Sequence, residues 1–498
     1  MKKRQARLSF IVAGGAACVT ALSPAIGQQL TTGGTTAAGT VTPAQQQQQQ
    51  QQTTTGVPQG TGTGLTVTLG LDSSLRYDDN LGLDDPSDGD TKRFENRLSL
   101  NVSSLKANEQ LQFDLSGIAR IVDKPNTGTD GGVFEDPSVG LSYARQGANS
   151  TFQGSANYRE VDLDFFRPLT DVNLDGIIDE SDLVDDNGTR NDTRLNLSLR
   201  TGVNAPLGFL FEVRHRDRDF RDTINPNLFD VRSTTGTVTS FLQLTQVTQG
   251  RVQLGFTDYE AEDPEQTNRE TIDVLAGVNH LLSPVTTVDA TVGFSRVDET
   301  LAAIPVSDTD TGATGSLTVT RTLGNGTIAA SVDRVFGTNG GRTTARVIRD
   351  MALPSGTLSF SAGVTRGAQD SVTAIGSLNV THVMPRSQIG ASVERRVRTS
   401  SLNNEVRTTT ANVNYTVTIN NDSSMAFDAF YAQNADAGIG TAVERERTNL
   451  RATYNRSLTK DWGLSAGYEF RMSDESGSGS ATGNMVFLTL QRQFTLKP

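Results

Sequence analysis

Residues 171–182 read DVNLDGIIDESD, and their oxygen-bearing side chains have the spacing of a calcium-binding loop. Such a loop takes side-chain ligands from positions 1, 3, 5, 9 and 12, a backbone carbonyl from position 7, and a glycine at position 6 for the sharp turn. The stretch supplies the ligands in order: Asp171, Asn173, Asp175, the carbonyl of Ile177, Asp179 and Asp182, with Gly176 at the turn. The spacing predicts a Ca2+ site, and the alternative is an ordinary acidic surface loop.

The last ligand position distinguishes two kinds of calcium loop. Asp182 stands where an EF-hand has a bidentate Glu, and in this respect the stretch resembles the loop of dockerin modules, in which Asp is usual. The alternative of a solvated loop stays open because residues 78–90 are equally acidic and lack the spacing. A site of this kind should bind calcium with modest affinity, since extracellular calcium sites are often weak.

Arginines share one parity in two other stretches. They are Arg214, Arg216 and Arg218, and Arg445, Arg447 and Arg451. Residues of one parity face the same side of a strand, and rings of charge set the selectivity of membrane pores. We therefore predict that these arginines line a pore and bind anions or anionic sugars. The alternative is a charge-balanced wall, because acidic residues point to the same side by parity: Asp114, Asp289, Glu394 and Glu469.

Enzymatic chemistry has little support in the sequence. The chain has three histidines, and two of them, His280 and His382, fall near strand ends on the apolar parity. His215 lies among Arg and Asp, where acid–base chemistry is conceivable, but no serine motif accompanies it as a hydrolase would require. The chain is therefore predicted not to be an enzyme. Its formal net charge of −12 also argues against a nucleic-acid partner, which needs a basic face.

The elements that carry these residues have a two-residue period. In LTVTLGLDSSLRY (65–77), apolar and polar residues alternate over a length that exceeds the usual globular strand. The same alternation recurs to the end of the chain, with Thr, Ser, Asn, Asp and Arg on one parity and Val, Leu, Ala, Phe and Tyr on the other. We count about 22 strands, with a range of 16–24.

The connections between these strands alternate between short turns and longer acidic linkers. Short turns include 106–110, 324–326 and 421–423, whereas long acidic linkers include 78–90, 123–132 and 473–483. This alternation is typical of an outer-membrane barrel. In a bilayer every backbone polar group must be paired internally, so amphipathic strands can span it only as a closed barrel. The prediction is an all-β fold, a closed antiparallel transmembrane β-barrel; a soluble β-sandwich, with shorter strands, is the alternative.

The ends of the chain predict export and targeting. Residues 1–27 have the basic head and short apolar segment of a signal peptide, although Cys18 leaves a lipoprotein as an alternative. Residues 28–63 are a Gln/Thr/Gly-rich tract that cannot bury enough apolar surface to fold alone, so we predict a disordered periplasmic leader, too short for a folded plug. The barrel is assigned to 64–498. Its last strand resembles the terminal signal recognised by the barrel assembly machinery, although four residues follow Phe494.

A family resemblance rests on Tyr77-Asp78-Asp79-Asn80, at the junction of the first strand and its acidic loop. This stretch resembles the start of the outer-membrane β-barrel porin family of Gram-negative bacteria. The resemblance implies an outer-membrane, porin-like channel for passive diffusion of small polar solutes. The alternatives are a barrel associated with exopolysaccharide export or surface assembly, and a non-conducting structural barrel. The barrel is expected to contact outer-membrane lipid through a girdle of aromatic side chains at the membrane interfaces: Tyr77, Tyr143, Tyr158, Tyr415, Tyr454, Trp462 and Phe494.

Overall fold

The structure is a computed structural model that describes residues 64–125, 128–165, 188–225, 228–304, 306–367, 371–399, 405–437, 444–476 and 479–496. The predicted signal peptide, the predicted leader and the calcium-like loop 171–182 lie outside the described residues. Among the described residues no helix is long and apolar enough to cross a membrane.

The described residues form 22 strands and one short 3₁₀ helix, Leu163–Phe165. The strands are β1 Gly64–Asp78, β2 Thr91–Lys106, β3 Glu109–Lys124, β4 Gly128–Gln146, β5 Ser150–Asp162, β6 Thr189–Thr201, β7 Leu207–Arg221, β8 Val231–Thr245, β9 Thr248–Ala261, β10 Thr267–Ser283, β11 Thr286–Leu301, β12 Val306–Leu323, β13 Gly326–Gly337, β14 Gly340–Leu353, β15 Gly356–Arg366, β16 Val372–Val383, β17 Ser387–Thr399, β18 Glu405–Asn420, β19 Ser423–Asp436, β20 Arg445–Ser457, β21 Trp462–Glu475 and β22 Gly479–Leu496.

Each strand pairs antiparallel with its neighbour in sequence, and β1 also pairs with β22, from Val67 opposite Leu496 to Asp78 opposite Met485. This pairing closes the sheet into a barrel and leaves no free edge. The predicted fold class, an all-β closed antiparallel barrel of about 22 strands, is therefore confirmed.

The two ends of the barrel differ. One end, here called the turn end, carries the short connections, such as 107–108, 324–325 and 421–422, together with the start of β1 and the end of β22. The other, the loop end, carries the longer intervals 79–90 and 163–188. The interval 163–188 follows β5 and is the third connection at the loop end, here called the third loop.

Two predicted acidic loops are wrong. The structure places most of 123–132 in the β3–β4 hairpin and most of 473–483 in the β21–β22 hairpin, because backbone pairing continues to Lys124–Gly128 and Glu475–Gly479. Strands of this length exceed the 9–11 residues that a tilted strand needs to cross a bilayer. The barrel wall therefore projects beyond the membrane at the loop end. There both faces of a strand contact water, so a run of polar residues can be part of a strand rather than a loop.

The distribution of side chains is the reverse of that in a soluble protein. Large apolar side chains such as Val292 and Phe294 are 68% and 65% exposed on the outer face. Most buried side chains are polar, and the largest of them point inward, among them Arg190 and Glu469 at 0% exposure. Such a surface is stable against hydrocarbon on the outside and water on the inside. On its outer face lie all seven predicted girdle aromatics, two of which, Tyr77 and Tyr158, are nearer the loop end.

Candidate functional site

The inner wall of the first strands is held by a carboxylate that several arginines share. Glu95 on β2 points inward, and its oxygens lie 3.0 Å from Arg76 Nε, 3.3 Å from Arg93 Nη1 and 3.1 Å from Arg120 Nε. Arg120 also donates to Glu135 at 2.9 Å and to Asp136 at 2.6 Å. These groups are partners on adjacent strands at one level. Because each arginine lies next to a carboxylate, several charges can be buried together there. A buried charge without a partner would have a large desolvation cost.

The same arrangement recurs farther round the barrel. Asp192 on β6 accepts from Arg190 at 2.6 Å and from Arg218 at 3.3 Å. Between β9 and β11, Arg251 makes a two-pronged ion pair with Asp289, at 2.5 Å and 2.6 Å. One side of the inner wall, from β1 to β11 and from β20 to β22, is therefore largely a network of paired charges, described below as the ionic wall.

The arginines predicted to line a pore all point inward, but they differ in side-chain exposure and in their distance from a carboxylate. Arg214 has a side chain 57% exposed, with Glu212 at 3.9 Å, and Arg216 lies 4.0 Å from Asp192. Arg445 is paired with Glu475 at 3.1 Å, and Arg451 lies 3.9 Å from Glu469. Arg447 is buried and donates to Ser473, and Arg218 is buried and donates to Asp192. Arg214 is thus the predicted residue that most clearly presents charge to the lumen.

The opposite wall is almost free of charge on β15 and β16. Phe360, Val364 and Leu378 are exposed on the outer face, so the other parity faces the lumen. That parity reads Thr357, Ser359, Ser361, Gly363 and Thr365 on β15, and Thr373, Ile375, Ser377, Asn379, Thr381 and Val383 on β16, so most of its side chains are hydroxyls or amides. The hydroxyls bond to one another across strands, as Ser361 and Ser377 do at 2.8 Å. We call this sector the hydroxyl wall.

The start of the third loop folds against the ionic wall. The ring of Phe165 has three cations near it, with Arg120 at 4.1 Å, Lys124 at 4.9 Å and Arg93 at 5.6 Å from its centroid. Each such contact is attractive because the face of the ring is electron-rich. The adjacent Leu163 is buried together with Val161, Leu228 and Phe220. Residues 163–165, the described beginning of the loop, therefore lie inside the opening of the barrel at its loop end, here called the mouth.

The stretch Tyr77-Asp78-Asp79-Asn80, which carried the family resemblance, ties the first strand to the last two. Arg471 of β21 donates to Asp78 Oδ1 at 2.5 Å and to the carbonyls of Asn80 and Leu81 at 3.1 Å and 3.2 Å. Asp79 accepts from the backbone and side-chain nitrogens of Asn484 at 2.6 Å and 2.7 Å. We call Asp78, Asp79, Asn80, Arg471 and Asn484 the closure cluster.

The loop after the closure cluster is held by the side chain of Asn80. Its amide nitrogen donates to the carbonyls of Asp84 at 2.9 Å and Thr482 at 3.0 Å, and its oxygen accepts from the backbone nitrogen of Asp84 at 3.0 Å. Burial, reinforced by the neighbouring carboxylate of Asp88, raises the pKa of Asp84. The acidic loop is thus an ordered part of the mouth whose carboxylates repel one another.

The three histidines are bound to hydroxyls on the outer face. His215 Nδ1 lies 2.9 Å from Thr234 Oγ1, His280 Nδ1 lies 2.8 Å from Thr248 Oγ1, and His382 Nδ1 lies 3.0 Å from Ser355 Oγ. His215 shares its parity with Phe211, which is exposed to the outside, so the conceivable acid–base site at His215 does not face the lumen. Within the described ranges no group of three potential ligands could hold a metal.

Solved structures with a similar fold are iron transporters and ferric-chelate receptors. The FrpB iron transporter from Neisseria meningitidis (F5-1 variant) has a TM-score of 0.54 and 10% identity, over 87% of this chain and 83% of that one. The ferric-catecholate import receptor Fiu from E. coli K12 has a TM-score of 0.53 and 11% identity, over 87% and 82%. A mutant ferric enterobactin receptor (PfeA) from Pseudomonas aeruginosa, solved with enterobactin, has a TM-score of 0.50 and 10% identity, over 87% and 82%.

At such low identity the likeness shows the fold alone. The likeness supports an outer-membrane β-barrel fold and supports neither the porin family nor a dockerin-like loop. No protein-family model matches the chain, and no curated protein matches its sequence.

Sequence reasoning missed most partners in the ionic wall. Arg76, Arg93, Glu95 and Arg120 each lie on the polar parity of their own strand, a signal that the printed sequence contains. What it does not contain is which of them meet, because the inter-strand register decides that Arg120 stands opposite Glu95.

Proposed function

We propose that this chain forms a water-filled channel across the bacterial outer membrane, through which small polar solutes diffuse. The observation that carries the proposal is the accessibility of inward-facing charge: the side chains of Arg214 and Arg346 are 57% and 46% exposed. Guanidinium groups on the lumen face stay exposed only where water reaches them. The hydroxyl wall adds a neutral, wettable surface beside them.

The ionic wall and the hydroxyl wall have different roles in this proposal. Charges of the ionic wall are mostly neutralised in pairs and keep the barrel cross-section rigid. The hydroxyl wall offers donors and acceptors without fixed charge, so it favours neither sign of ion. Residual selectivity then comes from the few accessible arginines, and the channel should prefer anions slightly.

A second candidate is import of a ferric chelate, and the fold likeness to the FrpB transporter and the Fiu receptor favours it. Barrels of 22 strands in outer-membrane transporters commonly contain a plug. Under this candidate the lumen would be closed at rest, and the mouth would bind its cargo. No contact among the described residues favours association with exopolysaccharide export or a sealed structural barrel.

Single-channel recording separates these candidates. The full chain, purified in detergent and reconstituted in a planar bilayer, should give discrete conductance steps in KCl, and neutral sugars should reduce the current as they enter. A silent bilayer from protein that migrates as a folded barrel would refute the open channel. Binding of ferric enterobactin by such silent protein would favour the receptor, whereas loss of surface polysaccharide on deletion of the gene would favour the export role.

A further inference from the structure

The outer face at the turn end of β20–β22 carries an arginine in contact with two aromatic rings. The guanidinium carbon of Arg492 lies 4.1 Å from the ring centroid of Phe494 and 4.8 Å from that of Trp462. Trp462 stands directly opposite Arg492 in the β21–β22 register. Two aromatic faces orient the planar guanidinium and leave its hydrogen-bonding edge for another partner.

Arg492 points to the membrane rather than into the lumen. It shares its parity with Val486, Leu488, Phe494 and Leu496, which are 50%, 44%, 42% and 60% exposed on the outer face. An arginine on the lipid face of a barrel is costly unless it lies near the interface or meets a counter-charge. Its Nε is buried and makes no hydrogen bond with any described residue.

Two more cations lie at the same end of the neighbouring strands. Arg456 is on the outer face of β20, where it stands opposite Leu464, and Lys460 is in the turn that leads to Trp462. Both are exposed. Within the described part of the chain no carboxylate forms an ion pair with Arg456, Lys460 or Arg492.

A second arginine at the turn end, Arg349, has a guanidinium group that is used in hydrogen bonds to the protein. Arg349, on the outer face of β14, donates to the carbonyls of Thr327 at 2.9 Å and Asp350 at 2.6 Å, and to Asn325 Oδ1 at 2.6 Å. Its guanidinium is used by the protein itself. The contrast indicates that the guanidinium of Arg492 is available to a ligand.

We propose that Arg492, Arg456 and Lys460, with the rings of Trp462 and Phe494, form a binding site for the phosphate of an anionic membrane phospholipid. The arginine fork matches the oxygens of a phosphate, the second and third cations strengthen the attraction to its negative charge, and the exposed Val486 and Leu488, nearer the middle of the strand, lie beside the acyl chains. Aromatic side chains with one polar edge are suited to the level of the headgroups. The inference rests on the barrel spanning a membrane and is independent of what passes through the lumen.

Native mass spectrometry of the full chain in a non-ionic detergent tests the site. Titration with dioleoyl phosphatidylglycerol should produce a saturable lipid adduct, and dioleoylglycerol, which has the same chains without phosphate, should not. Arg492→Gln should weaken the adduct about tenfold or more, since a charge-assisted hydrogen bond is lost. Arg492→Lys, which keeps the charge but not the planar fork, should lose less than Arg492→Gln.

Arg321→Gln is the matched control, because Arg321 is an exposed arginine at the turn end of β12 on the same outer face. It should leave the adduct unchanged, and each variant is first checked for heat-dependent migration, which reports a folded barrel. Equal binding of dioleoylglycerol, or equal losses in Arg492→Gln and Arg321→Gln, would overturn the proposal. Displacement of the lipid by millimolar inorganic phosphate alone would also overturn it, because the site would then take a free anion.

Discussion

The closure cluster makes a quantitative prediction about Arg471. Its side chain and that of Asp78 are 3% and 1% exposed, and their ion pair at 2.5 Å joins β21 to the end of β1. The same guanidinium also donates to two carbonyls of the acidic loop. Arg471→Met would remove all three hydrogen bonds and leave the Asp78 carboxylate buried without its counter-charge.

The expected cost follows from the burial of this pair. Removal of one partner of a buried ion pair costs about 3–5 kcal/mol, whereas an exposed pair contributes only about 0–1 kcal/mol. Arg232 provides the exposed comparison, since its side chain is 54% exposed and lies 3.3 Å from Asp217. We therefore expect Arg471→Met to lower the free energy of unfolding by several times more than Arg232→Met.

Urea unfolding in lipid vesicles measures this difference, with fluorescence of the single tryptophan, Trp462, as the signal. The double variant Asp78→Asn with Arg471→Met should cost less than the sum of the single variants, with a coupling of about 1 kcal/mol or more. Equal losses in Arg471→Met and Arg232→Met, or strict additivity in the cycle, would refute the assignment of a buried closure pair.

Three further predictions concern the lumen and the mouth. Arg214→Gln combined with Arg346→Gln should lower the ratio of anion to cation permeability in planar bilayers without changing the step size greatly, and an unchanged ratio would mean that these arginines do not face the conducting path. Phe165→Ala should release the start of the third loop, because three cation–π contacts of roughly 0.5–2 kcal/mol each are lost; faster cleavage of that loop by added protease reports the release, and wild-type cleavage rates would count against it. Asp175→Asn with Asp179→Asn should abolish terbium luminescence from the 171–182 loop, and a wild-type chain that gives no calcium-displaceable signal would leave only an acidic loop.

The fold could be predicted because the alternation of polar and apolar residues along a strand is a local property of the sequence. A strand in a barrel wall has one face in lipid and one in the lumen, so Leu65, Leu69 and Leu75 had to share a parity whatever their partners were. The number of strands followed from counting these stretches. Loop boundaries were less predictable, because Gly and Ser within 479–483 read as a turn while the backbone there is paired with residues 471–475 of β21.

The candidate site was predicted only in part. Parity put Arg214 and Arg447 on the polar face of their strands, but it could not distinguish the exposed Arg214 from the buried Arg447. That difference depends on which groups stand opposite on the neighbouring strands. The same reason explains His215, whose neighbours in sequence are charged but whose face of the strand is shared with apolar side chains.

The amino-acid sequence by itself determined the faces of the strands, their approximate number and the polar character of the interior, since each depends on residues close together in the chain. Only the tertiary structure decided that Asp78 and Arg471, 393 residues apart, form one buried pair. It also decided that Arg492 lies between Trp462 and Phe494. The physical reason is closure: the inter-strand register that joins β1 to β22 is a property of the whole sheet, and no local pattern specifies it.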